Sequence, residues 1–158
     1  MNSAYVAKAR CAKRRKVLAY ITSNNRLLVF SHPHHPEAGI QVPAGTLGDD
    51  ETPERAVMRE ALEETGLTEL TLDCLLGEQI RDMADCNLDQ IHHRYFFHLR
   101  CIGNPPATWR HIEEFPDDKS GEHIFEFFWA RLPDRVPELT GEHGKMIPKL
   151  LECLADES

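Results

Sequence analysis

Apolar and polar positions alternate in several short segments that are separated by turn residues, and this pattern predicts strands. The first two predicted strands are Val17–Ser23 and Arg26–Ser31, joined by a tight turn at Asn24–Asn25. The next segment, SHPHHPEAG, contains two prolines and a glycine, so we expect a loop before a short strand at Ile40–Pro43. Four more strands are predicted farther along the chain, at Leu70–Arg81, Ile91–Cys101, 108–115 and 123–132.

Two segments have the spacing and the end signals of helices. The first follows an N-capping Thr52, starts with Pro53 and ends at a glycine, Gly66. The second lies in the region from Gly144 to Ala155, where apolar residues recur at helical spacing. Strands with one helix early and one late predict an α/β fold, in which a mixed β-sheet lies between helices.

The length and charge of the chain limit the class of protein. A chain of 158 residues fits a single domain, residues 1–158, and can bury a core. The formal net charge is -8, which argues against general nucleic-acid binding because phosphate contacts need clustered Lys and Arg. The basic cluster Lys13–Lys16 is expected to belong to a solvated N-terminal lead-in at residues 1–15.

The five cysteines are odd in number, widely spaced and without a CxxC pair. They predict reduced thiols, and neither a disulfide framework nor a thiolate zinc site. Reduced thiols favour a cytoplasmic location. No apolar run in the sequence is long enough to cross a membrane.

Three glutamates near the end of the first predicted helix, Glu60, Glu63 and Glu64, fall within an arc of roughly 100°. The neighbouring arc carries the residues that we expect to pack on the sheet: Val57, Met58, Ala61, Leu62 and Thr65. Like charges on one helix face repel each other, so a cation is expected among them, and oxygen ligands favour Mg²⁺. A solvated glutamate-rich surface would show the same spacing, which leaves both interpretations open.

The residues around these glutamates follow a longer pattern. Its fixed positions are Gly45, Glu51, Arg59, Glu60, Glu63, Glu64 and Gly66. The pattern resembles the Nudix box, G-x5-E-x7-R-E-U-x-E-E-x-G-U, in which U is a bulky apolar residue. Leu67 fills the last U position, and Ala61, which is apolar but small, fills the first. The order of the other predicted elements is similar to that of a minimal Nudix domain, which implies a Nudix fold.

The resemblance implies a metal-dependent hydrolase that cleaves a phosphoanhydride bond in a nucleoside diphosphate linked to another moiety. A nucleotide sugar, a nucleoside triphosphate or a dinucleoside polyphosphate belongs to this class of substrate. The implied cofactor is Mg²⁺, with Mn²⁺ as a substitute. The expected partner is a small molecule, with no membrane and no general nucleic-acid binding, and the expected state is a monomer or homodimer. A non-catalytic nucleotide-sensing or protein-interaction module of the same fold is the alternative, and the intact glutamates argue against it.

The resemblance also implies roles for the residues of the box. The expected metal ligands are Gly45, through its carbonyl, Glu60, Glu63 and Glu64. Glu63 either ligates a metal or orients or deprotonates water. The expected catalytic residues are Glu63, Glu64 and Arg59. Glu51 and Arg59 are expected to form a structural ion pair that orients the helix.

A carboxylate from outside the box is expected to act as a base or as an extra ligand. The candidates are Glu113, Glu114, Asp117, Asp118, Glu122 and Glu126. Glu122 is favoured because it lies at the end of a polar loop, just before a strand.

Substrate contacts are expected from His35 in the SHPHHP loop, from Arg94 on a strand and from Glu122. Zinc binding by the loop histidines, His32, His34 and His35, and simple exposure are alternatives for that loop. On the strand, His92, Arg94, His98 and Arg100 alternate, which fits either a substrate-facing or a solvent-facing side. Trp109 and Trp129 are expected to pack in the core; the alternative is stacking on a nucleobase.

Overall fold

The computed structural model describes residues 11–114 and 122–157. Within these ranges the chain forms one mixed sheet and two α-helices. The strands are β1 Ala12–Ser23, β2 Arg26–Ser31, β3 Ala44–Thr46, β4 Leu70–Asp82, β5 Gln90–Cys101, β6 Thr108–Glu114 and β7 Glu122–Arg131. The helices are α1 Pro53–Thr65 and α2 Ile147–Ala155. This arrangement confirms the predicted α/β fold.

The sheet has the strand order β4-β5-β1-β2-β7-β6, and β3 pairs with the middle of β1, at Lys16–Leu18. β1 and β5 run parallel, whereas the other paired strands are antiparallel. Alternate residues of β1 face opposite layers. Val17 and Ala19 belong to the apolar cluster that includes α1, and Leu18 and Tyr20 belong to the cluster that includes α2. The centre of the sheet is therefore buried on both faces, each covered by one helix.

Strand β1 begins earlier than predicted. Its first residue is Ala12, so the predicted lead-in boundary at residue 15 is wrong. The reason is the parallel neighbour β5, which pairs with β1 from Ala12 to Thr22 and so extends the ladder past the apolar part of the strand. Residues 13–15 are nevertheless exposed, as expected for a solvated basic cluster.

The predicted strand at Ile40–Pro43 is also wrong. Isolated bridges replace it at Ile40 and Gln41, and the continuous strand β3 begins at Ala44. Pro43 has no N–H group to donate, which interrupts a ladder, although its carbonyl accepts a hydrogen bond from the Ala19 N–H at 2.8 Å. Strand β3 then carries the chain from this loop toward α1.

Helix α1 begins and ends where its cap residues predict. The Thr52 hydroxyl accepts a hydrogen bond from the Arg55 N–H at 3.2 Å. Gly66 adopts the left-handed conformation, with a φ of 77°, and its N–H donates to the Leu62 carbonyl at 2.9 Å. Both ends are stabilised by the local sequence, which explains why the boundaries were predictable.

The buried face of α1 differs from the predicted one. Its buried residues are Ala56, Val57, Ala61, Glu64 and Thr65, whereas Leu62 is 47% exposed. The prediction placed every glutamate on the outer face. The small side chains of Ala56 and Ala61 instead let the helix lie close to the sheet, with the Glu64 side turned inward.

Candidate active site

Strand β3 brings the backbone of Gly45 against the side chain of Glu60. A Cβ atom at position 45 would lie 2.0 Å from Glu60 Cδ and 2.3 Å from Glu60 Oε2. A glycine is therefore required for the carboxylate to occupy this space. The Gly45 backbone thus lies close to the face of α1. The role of the Gly45 carbonyl as a metal ligand stays a prediction.

The Glu64 carboxylate lies between α1 and β3 and is only 6% exposed. Its Oε2 accepts a hydrogen bond from the Ala44 N–H at 3.2 Å. Burial raises the pKa of Glu64 to about 9, and the negative charges of Glu113 and Glu60 add to this effect. Among the described residues, no Lys or Arg forms an ion pair with Glu64. The helix thus holds a buried carboxylate that has no Lys or Arg partner in the described part of the chain.

Arg59 forms ion pairs with the other carboxylates of the box, Glu51, Glu60 and Glu63. Its Nε and one terminal nitrogen each lie 2.7 Å from an oxygen of Glu51, which makes a bidentate ion pair. The other terminal nitrogen lies 2.8 Å from Glu60 Oε1 and 3.2 Å from Glu63 Oε2. The Arg59 hydrogen bonds lower the pKa of Glu51 to about 2. The structure thus brings Glu51 and Arg59 together in the way expected of an orienting ion pair.

The donor atoms around Gly45 are chemically suited to a hard divalent cation. The side chains of Glu60, Glu63 and Glu64 offer only oxygen ligands. Burial raises the pKa of Glu60, and the neighbouring Glu63 and Glu51 charges raise it further, against the effect of Arg59. Their oxygens do not form one group within 4.8 Å among the described residues, because Glu60 and Glu63 turn toward Arg59. A cation would therefore have to draw Glu60 partly away from Arg59.

Strand β6 packs across the end of α1 and brings a further carboxylate, Glu113, to the site. Trp109 Nε1 donates to the Thr65 carbonyl at 2.9 Å, and His111 Nε2 lies 2.8 Å from the Glu63 carbonyl. Burial raises the pKa of Glu113, and the negative charges of Glu60 and Glu63 contribute. Glu113 is therefore close enough to the acidic helix to interact with its charges.

Glu122, the carboxylate that the sequence favours, begins β7. Its side chain and that of Glu114 lie outside the described residues, as do Asp117 and Asp118 entirely. Its predicted role stays a prediction. Glu126 is 43% exposed and lies 3.7 Å from an Arg110 nitrogen, so it is a surface residue.

A cavity of about 240 Å³ opens beside Gly45 and Glu64. Lys16, His92 and Arg94 also line it. The Lys16 amino group donates to the Thr46 hydroxyl at 2.6 Å, and burial lowers the pKa of this lysine. Glu64 and these basic groups thus line one cavity.

Arg94 is the most buried cation of this cavity, with only 4% of its surface exposed. One terminal nitrogen donates to the Gly141 carbonyl at 2.7 Å, and the other contacts Met83 Sδ at 3.8 Å. No Asp or Glu of the described residues forms an ion pair with it. Burial lowers the pKa of Arg94, and the nearby positive charge of Arg81 lowers it further. A buried guanidinium of this kind favours an anionic ligand.

The histidines of the SHPHHP loop, which the sequence predicts as substrate or zinc contacts, do not line this cavity. His35 is exposed, lies 3.2 Å from Glu37 and does not line the cavity. His32, His34 and His35 do not meet the spacing of a metal site among the described residues. Trp109 stacks on Phe127, as the core-packing interpretation predicts.

His143 is the cavity residue that the sequence did not indicate. Its Nδ1 accepts a hydrogen bond from the Val42 N–H at 3.2 Å, across a separation of 101 residues. Burial lowers the pKa of His143 to about 3, and the charges of Arg94 and Arg81 contribute. A lone histidine in a loop carries no spacing signal, so only the fold reveals its position. A larger cavity of about 790 Å³, lined by Arg81, Glu142 and neighbouring loop residues, does not reach the box glutamates.

Comparison with known proteins places this geometry in a family. The NUDIX domain family model matches residues 12–150. Comparison with curated proteins gave no significant match. Within the described residues, no helix has the length and apolar character needed to cross a membrane.

Solved structures of similar fold have names that agree with the family. A UDP-X diphosphatase is 16% identical with a TM-score of 0.64, and the alignment covers 100% of this chain and 73% of that chain. A NUDIX hydrolase from Nitrosomonas europaea is 19% identical with a TM-score of 0.63, covering 91% and 90%. A MutT NUDIX hydrolase from Burkholderia pseudomallei is 26% identical with a TM-score of 0.59, covering 87% and 98%. With the family match over most of its length and with Arg59, Glu60, Glu63 and Glu64 on one helix, this chain belongs to the Nudix hydrolase family.

Proposed function

We propose that this Nudix-type pyrophosphohydrolase cleaves a phosphoanhydride bond in a nucleoside diphosphate linked to another moiety. The observation that carries the proposal is the buried Glu64 carboxylate, which has no positive partner among the described residues and lines the same cavity as the buried Arg94. A divalent cation would compensate the first group, and a substrate phosphate would compensate the second. The similarity to a UDP-X diphosphatase supports a nucleoside diphosphate as the common part of the substrate.

Mg²⁺ is the proposed cofactor, with Mn²⁺ as a substitute. Glu60, Glu63, Glu64 and the Gly45 carbonyl would hold it. When bound, the cation supplies positive charge to the phosphates and lowers the pKa of a coordinated water. The ion pair of Glu51 with Arg59 restrains α1 so that Glu60 stays over Gly45.

The other residues of the site bind substrate and handle the proton. Arg94 and Lys16 would bind phosphate oxygens in the cavity that Glu64 also lines. Glu113, whose pKa is raised by burial, is the proposed base that accepts the proton of the attacking water. A raised pKa makes a carboxylate a better proton acceptor near neutral pH. Glu122 is the other candidate base, so Glu113→Gln and Glu122→Gln should be compared in parallel.

The decisive experiment is turnover of a substrate panel with Mg²⁺ or Mn²⁺. The panel contains nucleotide sugars, nucleoside triphosphates and dinucleoside polyphosphates, and products are identified by chromatography. We expect Glu64→Gln to lower kcat on the order of 10³-fold without loss of fold. Glu54→Gln is the matched control, because Glu54 is an exposed glutamate of the same helix, and it should retain wild-type turnover.

Three results would contradict this proposal. Undiminished turnover of Glu64→Gln would exclude the proposed role of that carboxylate. Full turnover in the presence of a chelator would exclude the metal dependence. Nucleotide binding without any product would favour the non-catalytic sensing module. Cytoplasmic location and a monomeric or homodimeric state stay predictions, which fractionation and light scattering would test.

A further inference from the structure

A β-bulge in β4 changes the direction of its side chains at Asp73. Leu72 pairs with Leu99 of β5, but the next paired residue is Cys74, opposite His98. Asp73 is the extra residue, and a bulge of this kind re-aims the side chains around it. The apolar contacts show the change of face: Leu72 packs in the α1 cluster, whereas Cys74 packs in the α2 cluster.

The bulge gathers three different ligand groups on the α2 face. Asp73 Oδ2 lies 2.9 Å from His98 Nδ1 and 4.0 Å from Cys74 Sγ. Within residues 11–114 and 122–157 this is the single group of three His, Cys, Asp or Glu side chains whose ligand atoms all lie within 4.8 Å of one another. Cys153 of α2 packs against the same apolar cluster as Cys74, and burial together with this neighbouring thiol raises the pKa of Cys74.

We infer that Asp73, Cys74, His98 and Cys153 form a zinc site that fastens α2 to the edge strand β4. Zinc in structural sites takes four ligands in a tetrahedron, drawn from thiolate, imidazole and carboxylate. The thiolates favour zinc over Mg²⁺ or Ca²⁺, which take oxygen ligands. The absence of a CxxC motif does not oppose this site, because the bulge and the helix bring the two cysteines together from distant parts of the chain.

The surroundings of His98 match those of a metal-ligating histidine. Its ring is fully buried, and Nε2 lies 2.7 Å from the hydroxyl of Thr22, itself only 5% exposed. In the metal-free protein Nδ1–H donates to the Asp73 carboxylate, which can only accept. On zinc binding the ring would take the Nε2–H tautomer, donate to the Thr22 hydroxyl and leave the Nδ1 lone pair for the metal. Such a hydrogen bond to the second ring nitrogen fixes the orientation and tautomer of a ligating histidine.

Arg100 reduces the charge of the site. Two thiolates and one carboxylate around Zn²⁺ leave one negative charge. Arg100 lies 3.6 Å from Asp73 Oδ2 and is shared with Glu157, so it offsets part of this charge. Binding would release the thiol protons, so zinc affinity should rise with pH.

This site lies on the α2 face of the sheet, whereas the box glutamates are carried by α1 on the opposite face. The inference therefore does not depend on the proposed hydrolase activity. Its effect would be on the stability of the α2 layer, and turnover with Mg²⁺ would not report on it.

The test is a cobalt titration of the reduced, metal-free protein. We expect one equivalent of Co²⁺ to produce a thiolate-to-cobalt charge-transfer band and the visible absorption of a tetrahedral complex, and Zn²⁺ to remove both. Co²⁺ on the box carboxylates cannot produce the thiolate band, which keeps the two sites distinguishable. Zn²⁺ should also raise the Tm of the wild type, since it binds the folded state.

Variants assign the ligands. Cys74→Ser and Cys153→Ser should each lose the charge-transfer intensity of one thiolate and bind Co²⁺ more weakly. Thr22→Val should weaken binding by about 10-fold to 100-fold, as loss of a hydrogen bond to a ligand does. Cys101→Ser is the matched control, because Cys101 is a partly buried thiol that bonds the Ile102 carbonyl outside this group, and it should behave as wild type.

Several outcomes would overturn the inference. One is a wild-type titration without a thiolate band; because it needs no variant, this test stands even if a serine variant fails to fold. Another is a band that persists unchanged in both Cys74→Ser and Cys153→Ser. A third is a Cys74–Cys153 disulfide that forms in air while the reduced protein binds no Co²⁺, since this would make the pair a redox site.

Discussion

Two arginines beside the candidate site have opposite environments. Arg59 is 37% exposed and pairs with Glu51, Glu60 and Glu63. Arg94 is 4% exposed and donates to a backbone carbonyl, without an ion pair to any described carboxylate. The charge of Arg59 is thus satisfied within the protein, while that of Arg94 is available to a ligand. A positive charge near an active site indicates a binding group only when the protein leaves it unpaired.

The pKa directions support the same distinction. The carboxylates around Arg59 raise its pKa, whereas burial lowers that of Arg94. We therefore expect changes near Arg59 to act on kcat, through the position of the glutamates, and changes at Arg94 to act on KM, through substrate binding. Each prediction below tests one side of this difference.

Among the changes that compare the two arginines, the largest effect is expected for Gly45→Ala, since Gly45 contacts Glu60, the partner of Arg59, and also lines the cavity of Arg94. The new methyl would occupy the space of the flexible end of the Glu60 side chain. We expect kcat to fall about 10²-fold, as for a misplacement of about 1 Å, with little change in Tm. Gly48→Ala is the control, because a Cβ there has only ordinary contacts with Glu51. A large fall in Tm with normal kcat in the folded fraction would contradict this.

The next effect is expected for Arg59→Met, which removes the positive charge that restrains Glu51, Glu60 and Glu63. We expect kcat to fall about 10-fold to 100-fold, as when groups that support metal ligands are lost, with KM nearly unchanged. Higher Mg²⁺ concentrations should restore part of the activity, because the freed carboxylates are mispositioned but intact. Steady-state kinetics should be compared with Arg55→Met, an exposed arginine of the same helix. A rise in KM alone would remove the distinction between the two arginines.

The sequence predicts the Arg59 region far better than the Arg94 region. The box lies mostly within one helix and its lead-in, so helical spacing groups the three glutamates, and the resemblance to the Nudix box adds the pair of Glu51 and Arg59. The burial of Glu64 is not predictable from the sequence, because a helical projection that treats every glutamate as polar cannot show which one is buried. Glu64 is buried because α1 packs close to the sheet through Ala56 and Ala61.

The Arg94 cavity is assembled from segments that are distant in sequence. The alternation along β5 allows Arg94 to face either the substrate or the solvent, and the sequence places Lys16 in a basic cluster that is expected to be solvated. Only the parallel pairing of β1 with β5, with Lys16 opposite Arg94 in the register, brings the two together. Such non-local pairings are not encoded in the local pattern, which is why the fold class was predictable while the cavity was not.

A smaller effect is expected for Arg94→Met, which removes the unpaired guanidinium but keeps the apolar stem. We expect KM to rise about 10-fold with kcat largely retained, since a hydrogen bond to a charged group contributes about 1.5 kcal/mol or more. Arg94→Lys should lie between, because lysine keeps the charge without the planar fork. Equilibrium binding of a non-hydrolysable nucleotide analogue measures the same loss. Unchanged binding with lower kcat would show that Arg94 acts like Arg59.

The smallest effect concerns the neutral histidine beside Arg94. The pKa of His143 is lowered from 6.5 to about 3, so below about pH 6.5 the unfolded chain takes up a proton that the folded chain does not. The free energy of unfolding should therefore fall as pH decreases from 6.5 toward 3. His143→Asn keeps an acceptor for the Val42 N–H and should make this fall shallower, whereas the exposed His34→Asn should not. Urea unfolding at several pH values, with chelator present, gives the slopes. Equal slopes in wild type and His143→Asn would mean that burial, with the charges of Arg94 and Arg81, does not hold His143 neutral.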